Sequence, residues 1–290
     1  MAQKFIFDKP ASFAFFRQPG GREPNAENLK NLPDGYYEKQ IEGQTDYYVR
    51  RMIDNKLGYS RDGQPVYPEF NDTWHVAVNP LAYDNNLPID IGFDCGLTPA
   101  GVIGQQMPNG QWRILAEIIA DGIGAQRFGQ LVSRVLKTNF KGARPRFITC
   151  DPAGMSKSAG DENERSWREI MMSTTGLSIR PAPTNAIMPR LDCVKMVLNR
   201  TIDGQPGLLL SPACRVLRKG FNSGYKFVKV ASSNSKVLIS DEPDKNEYSH
   251  PHDALQYLLC GAGEYQAAMG RKAIKRGKIY NGRKDFRLFK

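Results

Sequence analysis

No apolar run in the 290 residues comes near the ~20 needed to cross a bilayer, because the longest, such as 114–120 and 208–210, are cut by charge or turn residues. A helical membrane span is excluded. The opening MAQKFIFDKPASF has no basic lead, apolar stretch or small-residue cleavage site of a secretory signal, so an intracellular protein is expected. Cysteines are few. The five (Cys95, Cys150, Cys193, Cys214 and Cys260) are odd in number, widely spaced and never in a CxxC pair. This excludes a disulfide framework and a zinc knuckle, and predicts reduced core residues. A phosphate loop GxxxxGK[ST] is lacking too: Gly277-Lys278 is followed by Ile279, and Gly20-Gly21 by Arg22, Glu23 and Pro24, the last without an N–H to donate. Nucleotide hydrolysis is therefore not expected. No repeat period is visible.

A chain of this length with 40% hydrophobic residues can bury one main core and carry appendages. Its net charge of +10 is not spread evenly. Residues 271–290 hold nine Lys and Arg against one Asp, so the basicity is a tail. Blocks of like charge are often only solvated; the functional alternative is an arm that contacts DNA phosphate.

From residue 89 the pattern becomes regular. Ile89, Ile91 and Phe93 alternate with Asp90, Gly92 and Asp94, the period of a strand. Strands near 101–106 and 111–120 flank Asn109-Gly110, a hairpin signal, which predicts a three-strand meander. Phe128, Leu131, Val132, Val135 and Leu136 recur at helical spacing, and a strand at 146–150 runs into Asp151-Pro152. Further on, the spacing predicts a helix at 163–174 ended by Gly176, a strand at 177–180, and a helix at 189–202 stopped by Asp203-Gly204. A hairpin at 225–230 and 236–240 follows, then a helix at 252–268 with Leu255, Leu258, Leu259 and Ala262 inward. Three antiparallel strands followed by alternating helix and strand is the order of an RNase H-like α/β fold, a mixed sheet with flanking helices. Residues 1–80 differ: they are rich in Pro, Gly, Asn and Tyr, with one helix expected at 37–56, its apolar side Ile41, Tyr48, Val49 and Met52.

Three acidic residues stand where elements end: Asp94 and Asp151 after strands, Asp253 at the start of the last helix. Taken singly, each is explained by turn or helix-cap chemistry, and His250 by a surface position. Jointly they suggest more. The carboxyl ends of neighbouring parallel strands share an edge where ligands bind. Carboxylates brought together there repel unless cations separate them, and hard oxygen ligands select Mg²⁺ or Mn²⁺. Two such ions ~4 Å apart activate water and stabilise the leaving oxygen in phosphodiester cleavage. His250 and Asp253, three residues apart, can share a helix face and complete the cluster. Glu117 and Asp121 are read as a solvated face.

The run IDIGFDCGLTPAGVI resembles the opening strand of the nuclease domain of phage terminase large subunits, with Asp94 in the place of the first metal ligand. RFITCDPAG resembles the second acidic site of that family, at Asp151, and SHPHDALQYLL its closing helix, at Asp253 and His250. QPGGREPNAENLKNLPDGYYEK and GQPVYPEFNDTWHV resemble the stretch that joins a terminase ATPase domain to its nuclease. The resemblance implies an ATPase-domain remnant and linker at 1–80, a nuclease domain at 81–268 and the basic tail at 269–290. It implies an endonuclease with two Mg²⁺ or Mn²⁺ ions, cutting concatemeric double-stranded viral DNA during packaging in the host cell cytoplasm. The portal protein and the small terminase subunit would be its partners, with no membrane involved. Two other readings stay open: an RNase H-like junction resolvase with the same acidic cluster, and a non-catalytic module that docks on DNA or on the portal.

Overall fold

The computed structural model describes residues 14, 16, 18–42, 49, 53–55, 63–157, 164–230 and 238–269. The basic tail from residue 270 onward, the hairpin turn at 231–237 and residues 43–48, 50–52 and 56 of the expected first helix lie outside them. The chain divides into two compact units, Met1–Gly63 and Gln64–Lys290. In the first, the start of the helix expected at 37–56 is α1 (Tyr36–Ile41), residues 49 and 53 are again helical, and the chain has left helical geometry by Asn55, whose φ is 44°. Arg22 grips Asp54 with two hydrogen bonds, Nε to Oδ1 at 2.7 Å and Nη2 to Oδ2 at 2.8 Å.

The second unit begins with Val66, Tyr67 and Phe70, which are buried against Phe221 and Tyr225. A one-turn helix, α2 (Asp72–His75), follows, capped by the Asn71 side chain on the Thr73 N–H. Then comes the meander: β1 (Ile89–Asp94), β2 (Ala100–Gln106) and β3 (Trp112–Ile119), each antiparallel to the next. Next are α3 (Ala125–Asn139), β4 (Pro145–Cys150), α4 (Trp167–Thr175) and β5 (Arg180–Pro181). The sheet order is β5-β4-β1-β2-β3-β8, with β8 (Leu208–Leu210) parallel to β3, and β4 and β5 added in parallel beside β1. This is the RNase H-like mixed sheet that the order of elements predicts.

Both faces of the sheet are covered, so it has two cores. Ile89, Ile91 and Phe93 point to the side where Phe128 and Val132 of α3 and Met171 of α4 are buried. Ser166 and Glu169 start α4 with a reciprocal capping box. The opposite face packs α5 (Ile187–Asn199) and α7 (Ser249–Leu259). There Gly92 makes room for α7, since a Cβ at that position would overlap the Ala254 carbonyl oxygen and approach the Leu258 nitrogen to 2.6 Å.

Three expectations change. The helix read as 189–202 ends at Asn199, because Asp203-Gly204 is a hairpin turn rather than a stop: β6 (Thr201–Ile202) pairs with β7 (Gln205–Pro206), and both turn residues have positive φ, 51° and 71°. Glu117 is not solvated. It accepts the Val216 and Leu217 N–H groups at 2.8 Å each and caps α6 (Arg215–Lys219). Beyond β9 (Phe227–Val230) and β10 (Leu238–Pro243), the closing helix is interrupted: α7 passes through a wide turn at Cys260–Glu264, with Gly263 at φ 107°, into α8 (Tyr265–Ala268). All five cysteines are free, as expected, and four are buried.

Candidate active site

β1 and β4 run parallel, with Phe93 opposite Cys150, so Asp94 and Asp151 leave the sheet side by side. The Asp151 N–H donates to the Phe93 carbonyl at 3.0 Å, which ties the two strand ends together. Side chains alternate across a strand, so Asp94 faces the same side as Gly92, under α7. With Ala254 and Leu258 over Gly92, the first turn of α7 comes over Asp94, and His250 Nδ1 lies 2.8 Å from Asp94 Oδ2.

Asp94, Asp151 and Asp253 line one cavity of about 300 Å³, together with Asn185, Ala186, Ile187, Arg190, Tyr225, Glu242, Pro243, Lys245 and Tyr257. The three carboxylates are therefore brought together. His250 bonds Asp94 and is not among the residues lining the cavity, whereas Asp253 bonds Lys245 and Arg190. Asp253 is 2% exposed and takes two cations: Lys245 Nζ at 2.7 Å on Oδ2 and Arg190 Nη1 at 3.3 Å on Oδ1. Asp151 accepts the Ala153 N–H at 2.8 Å through Oδ1, so the turn-capping role and the place in the cavity coexist. Asp121 is exposed and accepts the Thr98 hydroxyl.

Burial raises the Asp94 carboxyl to about 6; the His250 hydrogen bond works against this, and the charges of Asp253 and Asp151 add to it. The hydrogen bond that His250 donates to Asp94 in turn raises His250 above the usual histidine value. The donor chemistry suits a hard divalent cation: crowded carboxylates, one of them short of compensating charge. Among the described residues, however, no three His, Cys, Asp or Glu side chains converge closely enough to hold a metal ion as they stand. The nearer of the two cations on Asp253 is the Lys245 ammonium, so a metal that uses the Oδ2 of this carboxylate has to displace it.

Arg190 and Lys245 are the residues that the sequence pattern did not single out. Arg190 was detectable in principle, as a charge on the apolar stripe of α5 that also carries Leu191, Val194, Val197 and Leu198. Lys245 sits on an exposed loop before α7 and has no such signal.

No protein-family model matches the chain, and no curated protein matches it. Solved structures do. The large terminase of a thermophilic bacteriophage, in its second crystal form, superposes with a TM-score of 0.51 and 16% identity over 79% of this chain and 52% of that one. The complex of the same terminase with ATP-gamma-S gives a TM-score of 0.52 and 16% identity over 80% and 53%. The nuclease domain of the large terminase of bacteriophage SPP1, solved with bound Mn, superposes with a TM-score of 0.40 and 13% identity over 64% of this chain and 94% of that one. The chain thus shares its fold with a phage large terminase and spans about half the length of the thermophilic phage protein.

Proposed function

We propose that this chain is the nuclease part of a phage DNA-packaging terminase, hydrolysing phosphodiester bonds of double-stranded DNA with Mg²⁺ or Mn²⁺ held by Asp94, Asp151 and Asp253. The observation that carries the reading is the single cavity lined by carboxylates from β1, from the loop after β4 and from α7, at the carboxyl edge of parallel strands. When bound, a pair of divalent ions supplies an activated water and stabilises the leaving oxygen. The chain's own residues prepare for this. The Asp94 carboxylate is fixed by His250 and the Asp151 carboxylate by the Ala153 N–H, so two ligands are oriented before any ion arrives. Arg190 and Lys245 offset the acidic charge meanwhile. Without a phosphate loop the chain is expected to cut DNA without ATP and to turn over none. Portal protein and small subunit as partners, and action in the host cytoplasm, belong to the same proposal.

Plasmid nicking in Mn²⁺ or Mg²⁺, with EDTA as the control, tests it. Asp94→Asn and Asp151→Asn should each lower the rate by more than about a hundredfold, the range that even supporting residues of a metal site reach. Undiminished cutting by either folded variant would refute the assignment.

A further inference from the structure

The cavity has a second wall, opposite in charge to the carboxylates, whose donors a bound metal would leave available. Asn185, Ala186 and Ile187 line it, and they are the entry to α5, a helix of 13 residues. The N-cap residue, Ala186, supplies no side-chain cap, and it lines the cavity with the first helical residue, Ile187, so the positive end of the helix stands at the cavity wall. One turn in, Arg190 lines the same wall. Its side chain is 6% exposed, and its guanidinium lies 4.6 Å over the Tyr257 ring.

A guanidinium carries five N–H donors, and a buried one normally uses most of them. Here Nε has no hydrogen-bond partner although it is buried. The contact of Nη1 with Asp253, at 3.3 Å, is longer than the 2.7 Å that Lys245 makes to the same carboxylate. Lys245 is thus the closer counter-ion of Asp253, and Arg190, which lines the cavity, keeps its Nε donor unpaired.

We propose that Arg190 and the N-terminus of α5 bind a phosphate of the DNA strand being cut, holding it beside the acidic cluster. A phosphodiester presents two non-bridging oxygens, the spacing that an arginine edge meets with paired hydrogen bonds, and helix N-termini favour the same anion. Tyr257 under the guanidinium keeps it in place, and Tyr257 is itself fixed by donating its hydroxyl hydrogen to Asn185 Oδ1 at 2.7 Å. Arg190 is thus a substrate-binding residue whose position is set by packing rather than by a flexible stem. This inference rests on the nuclease reading above.

The test uses the full chain, a short labelled duplex and saturating Mn²⁺, with Arg190→Gln and Arg190→Lys compared with wild type. Cleavage is read as kcat/KM against salt, and Mn²⁺ binding without DNA is read by calorimetry. Arg190→Gln should lose about tenfold or more in kcat/KM and flatten its salt slope by about 0.9, the signature of one lost phosphate contact. Mn²⁺ binding should stay the same or tighten, because a cation next to Asp253 is gone. Arg190→Lys should keep the slope but lose part of the rate, since a point charge replaces the planar donor edge. An unchanged slope together with weaker Mn²⁺ binding would overturn the inference, leaving Arg190 as a support for Asp253. If Arg190→Gln does not fold, Arg190→Lys decides: full kcat/KM refutes the phosphate role, and reduced kcat/KM with intact Mn²⁺ binding supports it. A wild type that neither binds Mn²⁺ nor cuts would sink the nuclease reading and this inference together; an active wild type matched by Arg190→Gln would sink only the inference.

Discussion

Replacing Asp94 by Asn removes a charge that the fold holds against its preference. The carboxyl titrates at about 6 in the folded protein against 3.8 for an unperturbed aspartate, because it is 6% exposed and faces two further carboxylates. Between those values the folded state binds more protons than the unfolded chain, so stability falls as pH rises through this window and stays low above pH 6. At 1.36 kcal/mol per pH unit the ceiling is about 3 kcal/mol. Asn keeps the volume but loses the charged partner of His250, worth roughly 1 kcal/mol. The raised His250 works in the same sense: its contribution is complete below its unfolded value and is lost as pH rises through the folded one, so the comparison is made at pH 8, above the Asp94 window. In EDTA at that pH, urea unfolding should find Asp94→Asn more stable than wild type by about 1–2 kcal/mol. The gap should narrow as pH falls from 6 and close below about pH 3, where the aspartate is protonated in the unfolded chain as well. Saturating Mn²⁺ should reverse the order, since wild type gains about 2.7 kcal/mol at a hundred times its Kd and the variant gains less. A variant less stable than wild type at pH 8 in EDTA would show that Asp94 is not strained, and the electrostatic argument for a cation site would fail.

Lys245→Met should tighten Mn²⁺ binding in calorimetry by about two- to fivefold, the worth of a surface ion pair, because the ammonium on Asp253 competes with the ion and is itself largely exposed; weaker binding would mean that Lys245 assists the site instead. Gly92→Ala should cost about 3 kcal/mol in urea unfolding, since the new methyl meets the backbone of α7 rather than a movable side chain. A loss under about 1 kcal/mol would contradict the seating of α7 on β1.

Elements whose signal is local were readable from the sequence. β1 shows through alternation, although its polar positions are not solvated: Asp90 is fully buried and gripped by Arg146, and Gly92 lies under a helix. The Asn109-Gly110 turn and the Gly176 helix stop follow from backbone chemistry alone. Non-local elements were readable only in part. The strand expected at 177–180 is confined to Arg180–Pro181, where β4 supplies its partners, and the three leucines of β8 become a strand by pairing with β3 nearly a hundred residues earlier in the chain. Glu117 was misread for the same reason, since the helix it caps lies 99 residues away. In the site, the aspartates announced themselves by standing at element ends, whereas Arg190 looks like an intruder in an apolar stripe until the cavity beside it is seen.

Packing and chemistry meet at Asp94. For the first turn of α7 to reach the strand ends, the helix has to lie flush on β1, and Gly92 permits that approach. The same approach strips water from Asp94, lifts its pKa and sets His250 against it. The strain at the carboxylate is therefore not an isolated defect but a consequence of the contact that assembles the cavity, and relieving it by mutation while keeping α7 in place separates the two. On this argument Gly92→Ala should damage metal binding and stability together, whereas Asp94→Asn should lose the first and gain the second. That opposition distinguishes a site built by helix docking from carboxylates that line a cavity by chance.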